Sequence, residues 1–124
     1  MIDHVSIAVA DLARAGDFYD GVLAPLGLAR LVTRAGSIGF GKRYPEFWLN
    51  LRPGVAAVAG SGAHVCLRAP DEAAVRAFHA AALARGGADG GAPGPRGGAM
   101  TAYFGAFVVD PDGNRLEAAS FPRP

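Results

Sequence analysis

Two hydrophobic periods alternate along this chain. Val5, Ile7 and Val9 interleave with His4, Ser6 and Ala8, a two-residue period rich in β-branched side chains that predicts a strand over 2–9. From Leu12 the period becomes helical. Leu12, Ala15, Phe18, Tyr19, Val22 and Leu23 form one apolar face, Asp11 stands at the N-cap position, and Gly27 follows Leu26 where a C′ residue closes a helix. Three more strands are predicted at 28–33, 37–41 and 46–51, with turns at Gly36 and 42–45. Residues 53–62, rich in Gly, Ala and Ser, read as a linker.

The pattern then restarts. Residues 63–69 are strand-like, Asp71 is again an N-cap, and 72–85 is helical up to Gly86 and Gly87. Residues 88–99 carry repeated Gly and Pro and read as a loop, with room for a short, irregular strand. Strands at 101–109 and 114–121 flank Asp110-Pro111-Asp112-Gly113, a strong turn signal.

A displacement of 60 residues superposes the two halves without a gap: His4 meets His64, Val5 Val65, Asp11 Asp71, Phe18 Phe78, Leu23 Leu83, and Gly27 Gly87. Chance similarity of two amphipathic strand–helix units explains the Val and Leu matches easily, and the paired His, Asp and Phe less well. The expected fold is therefore α+β, with two tandem β-α-β-β-β modules at 1–52 and 63–121 and a linker at 53–62. A length of 124 residues suits one domain spanning 1–124.

Composition narrows the function. Half the residues are hydrophobic and the net charge is +1, with no basic run, so disorder, nucleic-acid binding and anionic membranes are poor readings. No apolar stretch approaches a bilayer span, and the N-terminus lacks a signal-peptide pattern, which suits the cytoplasm. Cys66 is the single cysteine, so no intrachain disulfide forms.

Strand parity puts His4 on a face with Ser6 and Ala8, His64 with Cys66 and Arg68, and Glu117 with Arg115 and Ala119. A lone strand histidine is ordinarily structural, and no HEXXH-type spacing is present. Arg68, Arg96 and Arg115 are candidate anion clamps, and Tyr103 is a candidate hydrogen-bond donor.

The opening His4-Val5-Ser6-Ile7, with Asp11-Leu12, Phe18-Tyr19 and Leu26-Gly27, resembles the start of a vicinal oxygen chelate domain. That superfamily comprises glyoxalase I, bleomycin-resistance proteins and extradiol dioxygenases. Gly62-Ala63-His64-Val65, Tyr103-Phe104-Gly105-Ala106-Phe107 and Asp110-Pro111-Asp112-Gly113-Asn114-Arg115-Leu116-Glu117 resemble its second module. The resemblance implies an open, cup-shaped mixed barrel with metal ligands from the first and last strands of each module. Carried over position by position, His4, His64 and Glu117 are metal ligands, and Glu117 is also the catalytic candidate. The fourth ligand position falls on Trp48, which cannot bind a metal; Glu46 and Asn50 share its face. Trp48, Tyr103 and Arg68 become candidate substrate-binding residues. The implied function is a metal-dependent lyase, isomerase or dioxygenase that takes a small oxygenated metabolite by bidentate chelation, with Fe, Mn, Zn or Ni as the divalent ion. The resemblance also implies a homodimer. The alternative is a metal-free protein that sequesters an antibiotic, as bleomycin-resistance proteins do.

Overall fold

Each predicted period forms its element in the computed structural model, which describes residues 1–98 and 100–122. The first half runs β1 (Val5–Val9), α1 (Leu12–Leu23), a 3-10 turn (Ala24–Leu26), β2 (Ala29–Thr33), β3 (Ser37–Gly41) and β4 (Pro45–Leu51). The second runs β5 (Val65–Arg68), α2 (Glu72–Ala84), β6 (Ala88–Gly97), β7 (Ala102–Val109) and β8 (Arg115–Ser120). The fold is α+β.

Capping explains where the helices start. The Asp11 carboxylate accepts from the Arg14 amide at 3.0 Å, and Asp71 accepts from the Ala74 amide at 2.8 Å. Gly27, at φ +80°, ends the first helical stretch and returns its N–H to the Ala24 carbonyl.

The two sheets share one topology. Strand order is β1-β4-β3-β2 in the first and β5-β8-β7-β6 in the second, with β1 parallel to β4, β5 parallel to β8, and the other pairs antiparallel. The internal repeat is thus reproduced strand for strand. The sheets do not close into a barrel.

Two expectations need correction. Residues 88–97 form a ten-residue strand rather than a loop, although Ala99 of that segment lies outside the described residues. Glycine and proline survive there because β6 is an edge strand interrupted by two register shifts, so its missing N–H groups break no second ladder. His4 and His64 also stand one residue ahead of β1 and β5 rather than within them. They remain equivalent to each other.

Alternation decides the core. Phe40, Phe47 and Leu49 are buried on the sheet that packs against α1, while Val108, Leu116 and Ala118 are buried on the sheet that packs against α2. The helices pack against each other, so one hydrophobic cluster runs through both halves. Phe18, Tyr19 and Phe78 are at most 2 % exposed, and burying each such ring is worth about 2–3 kcal/mol. Among the described residues no helix is long and apolar enough to cross a membrane.

A buried polar contact joins the halves. The Tyr19 hydroxyl donates to Asp110 Oδ2 at 2.6 Å, and Asn114 Nδ2 donates to the Ala8 carbonyl at 2.8 Å and to Asp110 Oδ2 at 3.0 Å. The Asp-Pro-Asp-Gly-Asn turn of the second half is therefore tied to β1 and α1 of the first. The next acid in the turn, Asp112, accepts from the Ala10 amide at 3.0 Å.

Candidate functional site

Backbone register fixes which positions correspond. Ser6 of β1 lies opposite Trp48 of β4, and Cys66 of β5 lies opposite Glu117 of β8. Trp48 therefore occupies in the first sheet the place that Glu117 occupies in the second. The halves are chemically unequal at this shared position.

In the second half, Glu117 is 3 % exposed and surrounded by polar groups. Its Oε1 lies 3.3 Å from His64 Nε2. Its Oε2 accepts a very short hydrogen bond from the Tyr103 hydroxyl. The Cys66 thiol is a third neighbour: desolvation, then the Glu117 charge and hydrogen bond, push it up to about 12. The hydrogen bond to Glu117 likewise pushes the Tyr103 phenol up to about 12, so it stays a donor at neutral pH.

Gly105 makes this arrangement possible, a role that sequence reasoning missed. A Cβ there would stand 2.9 Å from the Tyr103 ring and 3.2 Å from Glu117 Oε2. Its place within Tyr103-Phe104-Gly105, on the strand facing Glu117, was the available signal.

The orientation of His64 is informative. Its Nδ1 lies 3.2 Å from the Gly62 carbonyl and its Nε2 3.3 Å from Glu117 Oε1, and both of these oxygens accept. In the tautomer protonated at Nδ1, Nε2 presents its lone pair to that carboxylate. In that tautomer a cation between the two atoms would satisfy both. Phe107 packs edge-on against the His64 ring at 5.4 Å and supports the orientation.

His4 is not brought to this pair. It is exposed, and its Nδ1 contacts Asp3 Oδ1 at 2.6 Å. Among the described residues no three His, Cys, Asp or Glu side chains gather within reach of one ion. The three-ligand set expected from the sequence is thus split, with His64 and Glu117 together and His4 apart. Trp48 is half-buried and lies beneath the Arg34 guanidinium at 5.4 Å. His79 of α2 contacts Asp89 at 2.8 Å.

Two hollows adjoin the site. A groove of about 920 Å³ is lined by Ser6 and Ile7 of β1, His64, Asn114 and Arg115, with linker residues 57–63 as one wall. A smaller cavity of about 270 Å³ is lined by Lys42, Arg68, Ala69, Pro70 and Phe121. Arg68 lies over the Phe121 ring at 4.6 Å, and Phe121 stacks on Tyr103 at 5.0 Å. Aromatic stacking thus links this cavity to the residue that holds Glu117.

Comparison with known proteins gives a consistent pattern. Residues 1–118 match the family described as Glyoxalase/Bleomycin resistance protein/Dioxygenase superfamily. A glyoxalase/bleomycin resistance protein from Albidiferax ferrireducens is 32% identical, with TM-score 0.84, covering 96% of this chain and 98% of that one. A glyoxalase/bleomycin resistance protein/dioxygenase from Alicyclobacillus acidocaldarius is 20% identical, with TM-score 0.68, covering 99% and 92% of the two chains. A glyoxalase I variant from Zea mays is 22% identical, with TM-score 0.73, and 94% of this chain matches 45% of that longer one. A search of curated proteins finds no match.

Proposed function

Because the chain belongs to the glyoxalase/bleomycin resistance protein/dioxygenase superfamily, we propose that it is a divalent-metal-dependent enzyme acting on a small oxygenated metabolite. The observation that carries this reading is the facing pair His64 Nε2 and Glu117 Oε1. Two donors about 2.0–2.2 Å from one tetrahedral ion stand roughly 3.3 Å apart, which is the separation found here. The Gly62 carbonyl beside Nδ1 suits the tautomer that presents Nε2, as the outer partners of metal-bound histidines do. The donor set fits Fe, Mn, Zn or Ni.

The chain's own residues divide the remaining work. Glu117 holds the position of ligand and catalytic acid–base group. Tyr103, kept protonated, donates to Glu117 and orients it. Trp48, Tyr103 and Arg68 are the substrate-contacting candidates. A bound divalent ion would act as a Lewis acid toward two vicinal substrate oxygens. His4 stands apart from the pair inside one chain, and a second copy could supply it as a third ligand. The proposed assembly is therefore a homodimer in which His4 of one protomer approaches His64 and Glu117 of its partner. The unpaired outer edges of β1 and β5 favour such an arrangement.

A second reading rests on Trp48. It replaces a carboxylate with a flat ring, and the 920 Å³ groove has room for a larger organic molecule. Metal-free sequestration of an antibiotic would use both features.

Calorimetric titration of chelator-stripped protein with Fe(II), Mn(II), Zn(II) and Ni(II) decides between them. The enzyme reading expects one ion to bind tighter than about 100 μM, with Glu117→Gln and His64→Gln each weakening it. Binding should also tighten as the protein dimerises, and His4→Gln should remove that gain. If no ion binds, or if Glu117→Gln binds as well as the parent chain, the metal reading fails and sequestration stands.

A further inference from the structure

We propose that the cavity lined by Lys42 and Arg68 is an oxyanion subsite that holds the carboxylate or phosphate end of the ligand. The two cations come from opposite halves, Lys42 from the turn after β3 and Arg68 from the end of β5, and both line the same 270 Å³ hollow. Among the described residues the acidic groups in ion pairs are Asp3, Asp112, Asp20, Glu117 and Asp89, and their partners include neither Lys42 nor Arg68. Two like charges at one concavity repel, and an oxyanion between them removes that repulsion.

Both side chains lie beside neighbouring residues at the hollow. The Lys42 stem lies over Gly27, where an added Cβ would meet Cε at 3.4 Å. The Arg68 guanidinium lies over the Phe121 ring, a contact that leaves N–H groups available for a bidentate oxyanion. Ala69, Pro70 and Phe121 give the hollow an apolar wall that strengthens such a contact.

Position defines the ligand class. Arg68 is two residues along β5 from Cys66, which lies opposite Glu117, so the cavity sits about 7 Å along the strand from the Glu117 position. A metabolite with its reacting oxygens at Glu117 and its anionic end here is a short organic acid or phosphate ester. This inference rests on the reading of the Glu117 face as the ligand side, and it does not require a bound metal.

The test uses uniformly ¹⁵N-labelled, chelator-treated protein, titrated separately with inorganic phosphate and with succinate against sodium chloride at equal ionic strength. Saturable shifts are expected at the Gly27 and Ala69 amides and the Arg68 Nε–H, with half-saturation at about 1–10 mM. Either anion saturating supports the subsite, and the one that saturates lower names the head group. Lys42→Gln and Arg68→Gln should each weaken binding at least about tenfold, as loss of one charge-assisted contact implies. Both residues are exposed, so the fold should be kept, which circular dichroism checks. Shifts that follow chloride without saturating would overturn the proposal, as would variants that bind like the parent chain. Since no metal is present, failure of metal binding leaves this result intact, and failure here leaves the metal titration intact.

Discussion

Replacing Asp110 with Ala should cost more than any single surface change in this protein, because it removes the buried acceptor of the Tyr19 hydroxyl between the two halves. Asp110 is 4 % exposed and accepts from four donors: the Tyr19 hydroxyl, the Asp112 amide, the Asn114 amide and Asn114 Nδ2. The Tyr19 hydroxyl lies in the core, and losing its partner there costs about 1.5–3 kcal/mol; the turn donors add about 0.5–1 each, less what is regained by no longer burying a charge. Asp110→Ala should therefore destabilise by about 3–5 kcal/mol. Tyr19→Phe removes one bond and should cost about 1.5–2.5 kcal/mol. Urea unfolding followed by Trp48 fluorescence and far-UV circular dichroism measures both, and melting should fall by roughly 3–5 °C per kcal/mol at this chain length. The double variant completes the cycle. Once Asp110 is gone, Tyr19→Phe has little left to lose, so the two effects should fall short of additivity by about 1–2 kcal/mol. Additive effects within about 0.5 kcal/mol, or an Asp110→Ala cost below about 1 kcal/mol, would show that this turn does not tie the halves together.

Two further outcomes follow from the same structure. Burial holds the Tyr19 phenol well above its usual range, and Asp110 adds to the effect. The folded state therefore keeps the proton that the unfolded chain loses near pH 10, so this stabilisation is intact below pH 10 and disappears progressively above it. Melting temperature should drop on titration from pH 9 to 11, and Tyr19→Phe should flatten that drop; a parent chain with a flat profile would contradict it. Cys66, raised to about 12 by desolvation and by Glu117, should react with a disulfide reagent at pH 8 at least about tenfold more slowly than in urea. Glu117→Gln should accelerate the native reaction, and equal rates in native and unfolded protein would count against the buried carboxylate beside it.

Local chemistry made much of the fold legible. The periods of two and 3.6, the N-cap aspartates and the glycine after Leu26 each act within a few residues, so strands and helices could be located from spacing alone. The displacement that pairs His4 with His64 carried the repeat, because equivalent modules need equivalent caps and core positions. Strand parity also grouped Glu117 with Arg115 and Ala119, and the register of β5 and β8 then set it opposite Cys66. β6 was harder to see, since its Gly and Pro obey the rule for loops unless the strand is known to lie at an edge.

Other features depend on where the halves sit relative to each other, and no local pattern encodes that. Tyr19 and Asp110 are separated by 91 positions, and only packing of α1 against the second half makes them partners. The sequence offered His4, His64 and Glu117 as equals. The tertiary structure joins His64 to Glu117, whose strands are hydrogen-bonded neighbours, and leaves His4 beside Asp3, because its own sheet offers Trp48 where a carboxylate would be. Register between strands is a long-range property, and so is the meeting of Lys42 with Arg68 at one hollow. Spacing along the chain determines which residues are able to face a site; the path of the backbone between them determines which ones do.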